Sequence, residues 1–472
     1  METYIIPVTA SKSADKFIIY RPRIGMAFVG NRAMATLAVA ATHRTDNESA
    51  TKLPDDVRTF LESVGFFQPD PPEPPAQDRA FHPTTAVLLM TNQCQLRCTY
   101  CYAAAGEYVQ QQLTPELGRA VIDYVCQNAI ERGIPQFELA LHGGGEPTVN
   151  WQVLQECTAY ARSKPVKAKI TLTSNGVWSP RQRAWILENL DAVSISMDGM
   201  PSTQDRQRPF SSGRPSSAHV LRTIAELDNH EFEYGIRLTA TAPWQSLPDD
   251  VRFICENTAC QVMQVEPAFN TKRGGHSWPD PDEVHDYVAA YLAAHDIATA
   301  AERTLFSSSA RLGSVTTTFC TAPYDALIVN PFGQLVTCYE VASEAHALAQ
   351  ISIIGRAENG EVIVDTEARD GLHDRMAARR QSCEGCFCYW SCAGDCYARA
   401  FAPHDGGHLV HGGRCDMNRA ITRELLLRRI AEHGGVWRAD DHAAVMMCSP
   451  QPAVVSTGEA NGRTEPVADP SV

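Results

Sequence analysis

From Thr84 onward, short apolar runs that read as strands alternate with longer runs of helical period. TTAVLLMT is followed by TPELGRAVIDYVCQNAIERG, QFELALHGG by WQVLQECTAYARSK, and AKITLTSNG by SPRQRAWILENL. The alternation continues through AVSISMDG, FEYGIRLTAT and CQVMQVEPAF, each with its helical partner, giving six β/α units. Helix punctuation agrees, because Thr114 can cap a helix whose first turn holds Pro115, and Gly133 stands where a stop is expected. Strands alternating with helices of this length predict an α/β fold with a parallel sheet, a partial (β/α)6 barrel over residues 81–310.

The flanks read differently. Residues 1–67 carry short apolar runs of a small α+β extension, and the proline-rich stretch within 68–80 predicts a stiff linker. Residues 315–416 are rich in cysteine and glycine with little periodicity, so a small domain at the C-terminal side held by metal is expected. A helical segment over 417–448 and a disordered tail over 449–472 complete the expectation.

Composition narrows the function. At 44% hydrophobic and 20% charged residues, the 472-residue chain has the profile of a globular protein. No basic segment followed by an apolar run opens it, and no stretch of about eighteen apolar residues interrupts it, so a cytoplasmic protein without membrane partners is expected. A net charge of -14 argues against nucleic acid, whose phosphates need clustered Lys and Arg. Sixteen cysteines in a reducing compartment read as metal ligands rather than disulfides.

Directly after the first predicted strand, Cys94, Cys98 and Cys101 have the spacing C-x3-C-x2-C. Three thiolates on one loop can hold a four-iron cube and leave one iron open. A zinc site is the alternative, but zinc takes four ligands and no fourth cysteine lies nearby. The motif, with Tyr100 before its last cysteine, resembles the signature of the radical S-adenosylmethionine superfamily. That resemblance implies a [4Fe-4S] cluster whose open iron binds S-adenosyl-L-methionine and yields a 5′-deoxyadenosyl radical.

Ligand chemistry in such a barrel gathers at the C-terminal ends of the strands. Strand two ends in Gly144-Gly145-Glu146-Pro147, strand three in Ser174-Asn175-Gly176 and strand four in Ser196-Met197-Asp198-Gly199; strand five carries Arg237 and Thr239, and strand six Glu266. GGEP resembles the family's second motif, at the amino group of S-adenosylmethionine. Ser196, Asp205 and Arg208 resemble the stretch that supports its ribose and carboxylate, with Gln204 where the family usually has histidine. The resemblance thus implies a cofactor pocket of Tyr100, Gly144, Gly145, Glu146, Ser174, Asn175, Ser196, Asp198, Arg208 and Arg237.

A second set follows as C-x12-G-x4-C, then C-x2-C-x5-C-x3-C, then a last cysteine. It resembles the seven-cysteine SPASM domain, with paired zinc ribbons as the alternative. The resemblance assigns Cys320, Cys338 and Cys396 to a first auxiliary [4Fe-4S] cluster and Cys383, Cys386, Cys392 and Cys415 to a second. The fourth ligand of the first stays open among Cys388, a non-thiol group, water and the substrate. Cys126, Cys157, Cys255, Cys260, Cys388 and Cys448 read mostly as core or tail thiols.

SPASM enzymes typically modify ribosomally made peptides or protein side chains, so a precursor-peptide substrate and a reducing partner such as flavodoxin or ferredoxin are expected. Sulfatase-maturing enzymes, the alternative, carry an Asp directly after the second SPASM cysteine; here the order is Cys338-Tyr339-Glu340, making Glu340 a candidate base. A non-catalytic iron–sulfur scaffold is the reading from another class. Residues 1–67 resemble peptide-binding modules that take a leader peptide as an added strand.

Overall fold

The computed structural model describes residues 1–8, 15–42, 53–269, 273, 280–308, 310–402, 408–409 and 413–439. Strands β1 (Tyr4–Pro7), β2 (Lys16–Arg21) and β3 (Met26–Asn31) form an antiparallel sheet near the N-terminus. The main sheet is built from β4 (Thr85–Leu89), β5 (Gln136–His142), β6 (Lys167–Ser174), β7 (Ala192–Ser196), β8 (Tyr234–Ala240), β9 (Val262–Pro267), β10 (Thr304–Phe306), β11 (Ala326–Val329), β12 (Gln334–Val336), β13 (Ile353–Glu358) and β14 (Glu361–Val364). Their order is β10-β9-β8-β7-β6-β5-β4-β11-β12-β13-β14. Pairing is parallel from β10 to β11 and antiparallel from there to β14, and the sheet stays open. The strands β4 to β9 are the six that the alternation predicts, with helices on their outer side. β5, for example, follows the helix Pro115–Glu131, which Thr114 caps through Leu117 N at 3.4 Å.

Two regions hold more than the sequence predicts. Residues 315–416 do not stand apart on metal alone, because β11 to β14 extend the main sheet. Val87, Leu89 and Ala140 share one apolar cluster with Ile328, Val336, Ala398 and Phe401, so the cysteine-rich region grows out of the barrel core. The stretch expected to be helical over 417–448 holds a helix, Gly413–Glu432, and then a strand, Val436–Arg438, that pairs antiparallel with β3. Three residues are too few to show a period of two, which is why the alternation missed it. The expected disordered tail lies outside the described residues.

The N-terminal sheet is therefore closed by the far end of the chain. Ile6, Ile18, Tyr20 and Ala27 bury against Leu426, Ile430 and Trp437. The proline-rich segment is strapped at its start: fully buried Arg21 donates to the carbonyls of Phe66 and Gln68 and pairs with Asp70. Trp437→Ala should lower stability by about 3–5 kcal/mol, the usual cost of emptying a large aromatic site. Equilibrium denaturation checks this, and an unchanged midpoint would show that the strand is not part of the cooperative core.

Candidate active site and metal centres

The loop after β4 turns back on itself, with Cys101 N donating to Cys98 O at 3.2 Å. Residues 207–211 run beside it, taking Arg97 N on Pro209 O at 2.8 Å and Thr99 N on Gln207 O at 2.9 Å. The Cys94 sulfur accepts from Leu96 N at 3.3 Å and Asn175 Nδ2 at 3.7 Å, and Arg208 Nη1 approaches the Cys98 sulfur at 4.0 Å. Burial pushes the Cys94 thiol up to about 12 and Cys98 up to about 11, and each also feels the charge of the Cys101 sulfur. Two desolvated thiols beside the Cys101 sulfur, repelling as thiolates, fit a polycationic iron core, which would cancel that repulsion. Arg273, absent from the sequence reading, fastens the loop from outside through Cys98 O at 2.6 Å and Ala105 O at 2.8 Å.

The glycines beside this loop are positions where a side chain has no room. A Cβ on Gly145 would sit 2.0 Å from Gln93 O, and one on Gly144 2.5 Å from Ala342 Cβ. Gly145 N and Glu146 N donate to Thr91 O and Gln93 O, each at 2.8 Å, locking the second motif to the first. The Glu146 carboxylate is turned away into the protein. It accepts from Thr148 Oγ1 and Ser174 Oγ, both at 2.7 Å, and from Asn175 N at 2.8 Å. Glu146 and Ser174 thus tie the end of β5 to the end of β6, and burial raises the carboxyl even against those donors.

Asp198, at the end of β7, organises the opposite side. Its carboxylate pairs with Arg208 Nε at 2.9 Å and accepts from Thr239 N at 2.9 Å, Gln207 Nε2 at 2.9 Å and the Tyr100 hydroxyl. The Arg208 guanidinium lies 5.2 Å from the centre of the Tyr100 ring. Gln204 does a positioning job: its Oε1 accepts from Asp198 N at 2.9 Å and its Nε2 donates to Ser216 Oγ at 3.3 Å. Asp205 is committed elsewhere, accepting from Ser216 N at 2.8 Å and Ser217 N at 2.7 Å at the start of the helix Ser217–Asn229. Ser196 ends β7 directly opposite Arg237 of β8.

His142 was not singled out by the sequence, yet it stands at the last position of β5, immediately before the glycines. Its ring leans on Tyr339 at 4.9 Å between centroids, and its Nδ1 accepts from Gly143 N at 2.9 Å. Burial first, then the Arg237 guanidinium, drive the imidazole down to about 4, so it is neutral at physiological pH. Its folded value lies below the unfolded one of about 6.5, so folding loses stability as pH falls through the window from about 6.5 to about 4. His142→Gln should flatten that part of the stability profile by up to about 1.4 kcal/mol per pH unit. Denaturation midpoints at a series of pH values decide it, and an unaltered slope would show the ring to be solvated.

Glu340 pairs with Arg399 at 2.5 Å, and its charge reaches Tyr102 of the first loop as well as Cys338. It therefore sits between the first cysteine loop and the Cys338 region. Cys320, Cys338 and Cys396 pack against one apolar cluster; burial raises the Cys338 and Cys396 thiols, and the charges of Glu340 and Cys396 raise Cys338 further. Cys383, Cys386, Cys392 and Cys415 line a second cavity of about 300 Å³ with Arg379, Asp395 and Asn418. The buried Arg414–Asp395 pair, at 3.1 Å, stands between this cavity and the barrel, where Arg414 faces Glu266. Cys388 also lines the second cavity, away from the first auxiliary set to which it was one candidate. Cys126, Cys157 and Cys260 are core thiols, and Cys448 lies outside the described residues.

Among the described residues, no three His, Cys, Asp or Glu side chains close to the spacing of a single metal ion. The second cysteine set instead surrounds space, and the 300 Å³ cavity suits a cluster of several iron and sulfur atoms. Within it, Arg379 Nη1 and Asn418 Oδ1 are buried without a hydrogen-bond partner among the described residues, beside four thiols.

An open parallel sheet whose first strand runs into C-x3-C-x2-C, with glycines and polar side chains at the following strand ends, defines a radical S-adenosylmethionine fold. Residues 88–242 match the model of the Radical SAM superfamily, and the chain carries a domain of that superfamily. It is 33% identical over 153 residues to the Fe-coproporphyrin III synthase of Methanosarcina barkeri, covering 32% of this chain and 35% of that protein. It is 22% identical over 262 residues to the sporulation killing factor maturation protein SkfB of Bacillus subtilis, covering 55% of this chain and 61% of SkfB. The matched stretches thus span less than two thirds of these relatives. The solved structure of anSMEcpe with bound AdoMet shares the fold, with a TM-score of 0.59 and 15% identity over 74% of this chain and 99% of that one.

Proposed function

We propose that this chain is a radical S-adenosylmethionine peptide maturase with one catalytic and two auxiliary [4Fe-4S] clusters. The carrying observation is the approach of two cysteine sets across polar side chains: Glu340 and Arg399 lie between the Cys101 loop and Cys338, and His142, Tyr339 and Arg237 face the same region. Supporting it are the Radical SAM match and the likeness to SkfB, a sporulation killing factor maturation protein.

Cys94, Cys98 and Cys101 would hold the catalytic cluster, and when bound it and S-adenosylmethionine supply a carbon-centred oxidant able to abstract hydrogen from a substrate residue. Around it, Asp198 and Gln207 orient Arg208 and Tyr100, while Gly144 and Gly145 let backbone approach where a Cβ would clash. Glu340 is the residue able to take a proton from the substrate residue, with Arg399 fixing its carboxylate. His142, neutral and with its Nδ1 taken by Gly143 N, carries its proton on Nε2 and can donate a hydrogen bond to a peptide carbonyl without adding charge. Cys320, Cys338 and Cys396 would hold one auxiliary cluster and the second cavity the other, with flavodoxin or ferredoxin as the source of reducing electrons.

The test is anaerobic reconstitution with iron, sulfide, reductant and S-adenosylmethionine. About twelve irons per chain and release of 5′-deoxyadenosine are expected. Intact clusters with no 5′-deoxyadenosine would favour an iron–sulfur scaffold, and zinc in place of iron would end the proposal.

A further inference from the structure

The second cavity holds one thiol too many. A four-iron cluster takes at most four cysteine ligands, and Cys383, Cys386, Cys392 and Cys415 already supply them, yet Cys388 lines the same 300 Å³ space. Unlike Cys126, Cys157 and Cys260, which sit in the main apolar core, Cys388 is in side-chain hydrogen-bond contact with Cys386. Its sulfur also lies 3.9 Å from Asn418 O. Two polar side chains of the cavity already serve sulfur. Asn418 Nδ2 donates to Cys392 at 3.5 Å and Arg379 Nη2 to Cys415 at 3.9 Å, while Asn418 Oδ1 and Arg379 Nη1 stay unpartnered among the described residues. Asn418 is 1% and Arg379 5% exposed, so both belong to a built site rather than a solvated surface.

We propose that Cys388 is a reserve ligand of the second auxiliary cluster, interchangeable with Cys386. The inference rests on reading the cavity as a cluster site. The two residues flank Phe387 in the short turn between Cys383 and the Tyr389–Cys392 helix, with Cys386 N donating to Cys383 O and Tyr389 N to Cys386 O. A small rotation of that turn exchanges one sulfur for the other at the same iron. In the exchange an iron–sulfur bond to Cys388 replaces that to Cys386; one thiol releases a proton to solvent, the other takes one up, and no electron moves. An oxidised or alkylated Cys386 would then not cost the cluster.

The experiment counts iron and records electron paramagnetic resonance spectra of reconstituted full-length variants. Cys386→Ala and Cys388→Ala should each keep the wild-type iron content, whereas the double variant should lose about four irons, as should Cys383→Ala, which has no neighbouring reserve. Loss of the cluster in Cys386→Ala alone, to the extent seen in Cys383→Ala, would overturn the proposal. Cys386→Ser serves if the alanine variant does not fold: retained all-thiolate ligation supports the exchange, and serine-bound iron overturns it. If instead Cys383→Ala loses no iron, the cavity is not a cluster site and the underlying reading fails.

Discussion

Replacing Cys94, Cys98 and Cys101 together with alanine is expected to remove about four of roughly twelve irons and to abolish formation of 5′-deoxyadenosine. The loss should be chemical rather than structural. The loop keeps its backbone ties without the sulfurs: Leu96 bridges to Phe210, Arg97 N and Thr99 N reach Pro209 O and Gln207 O, and Gly145 N holds Thr91 O. Burial keeps the Cys94 and Cys98 thiols protonated in the apo-protein, and truncating small side chains leaves only small cavities, so the variant should melt within a few degrees of the wild-type apo-protein. Iron analysis, spectroscopy and product chromatography check the prediction together. Full iron retention would mean that the cube is held elsewhere, and an unfolded variant that the loop depends on its sulfurs.

A second large effect is expected from Asp198→Ala. The Asp198 side chain is fully buried and Arg208 is 9% exposed, and the carboxylate also satisfies Thr239 N, Gln207 and Tyr100. Deleting it leaves a guanidinium in a site built for an ion pair, which typically costs about 3–5 kcal/mol. Pairing it with Arg208→Met removes the stranded charge and should recover a good part of the loss, because an apolar replacement of both partners is close to neutral in many proteins. A double-mutant cycle by urea denaturation measures the coupling. Additive losses would show that Arg208 finds enough solvent to stand alone. S-adenosylmethionine binding should be lost in both variants, since Tyr100 is no longer held and Arg208 is either unheld or replaced.

Much of the candidate site could be read before any coordinates, for a local reason. A parallel β/α sheet places the residues just after each strand on one edge, so CQLRC, GGEP, SNG and SMDG could be put side by side from alternation alone. Side chains whose role depends on distant partners were illegible. Asp205 reads as a ligand until Ser216 N and Ser217 N claim it. His142 reads as the end of a strand until Tyr339 and Arg237 close around it, although a histidine directly before three glycines was a usable signal. Arg399 and Arg414 gave no signal at all, because their partners Glu340 and Asp395 are 59 and 19 residues away.

Periodicity and cysteine spacing, by themselves, determined the order of β/α units, the loop that gathers three thiols and the number of thiols further on, because these depend on residues adjacent in the chain. Tertiary structure alone decided that the sheet stays open and runs on into the cysteine-rich region, and that Val436–Arg438 completes a sheet begun at Tyr4. It also decided that Cys388 faces the second cavity. Each of these is a pairing between segments far apart in sequence, settled by which apolar faces and backbone donors are left over once local structure has formed.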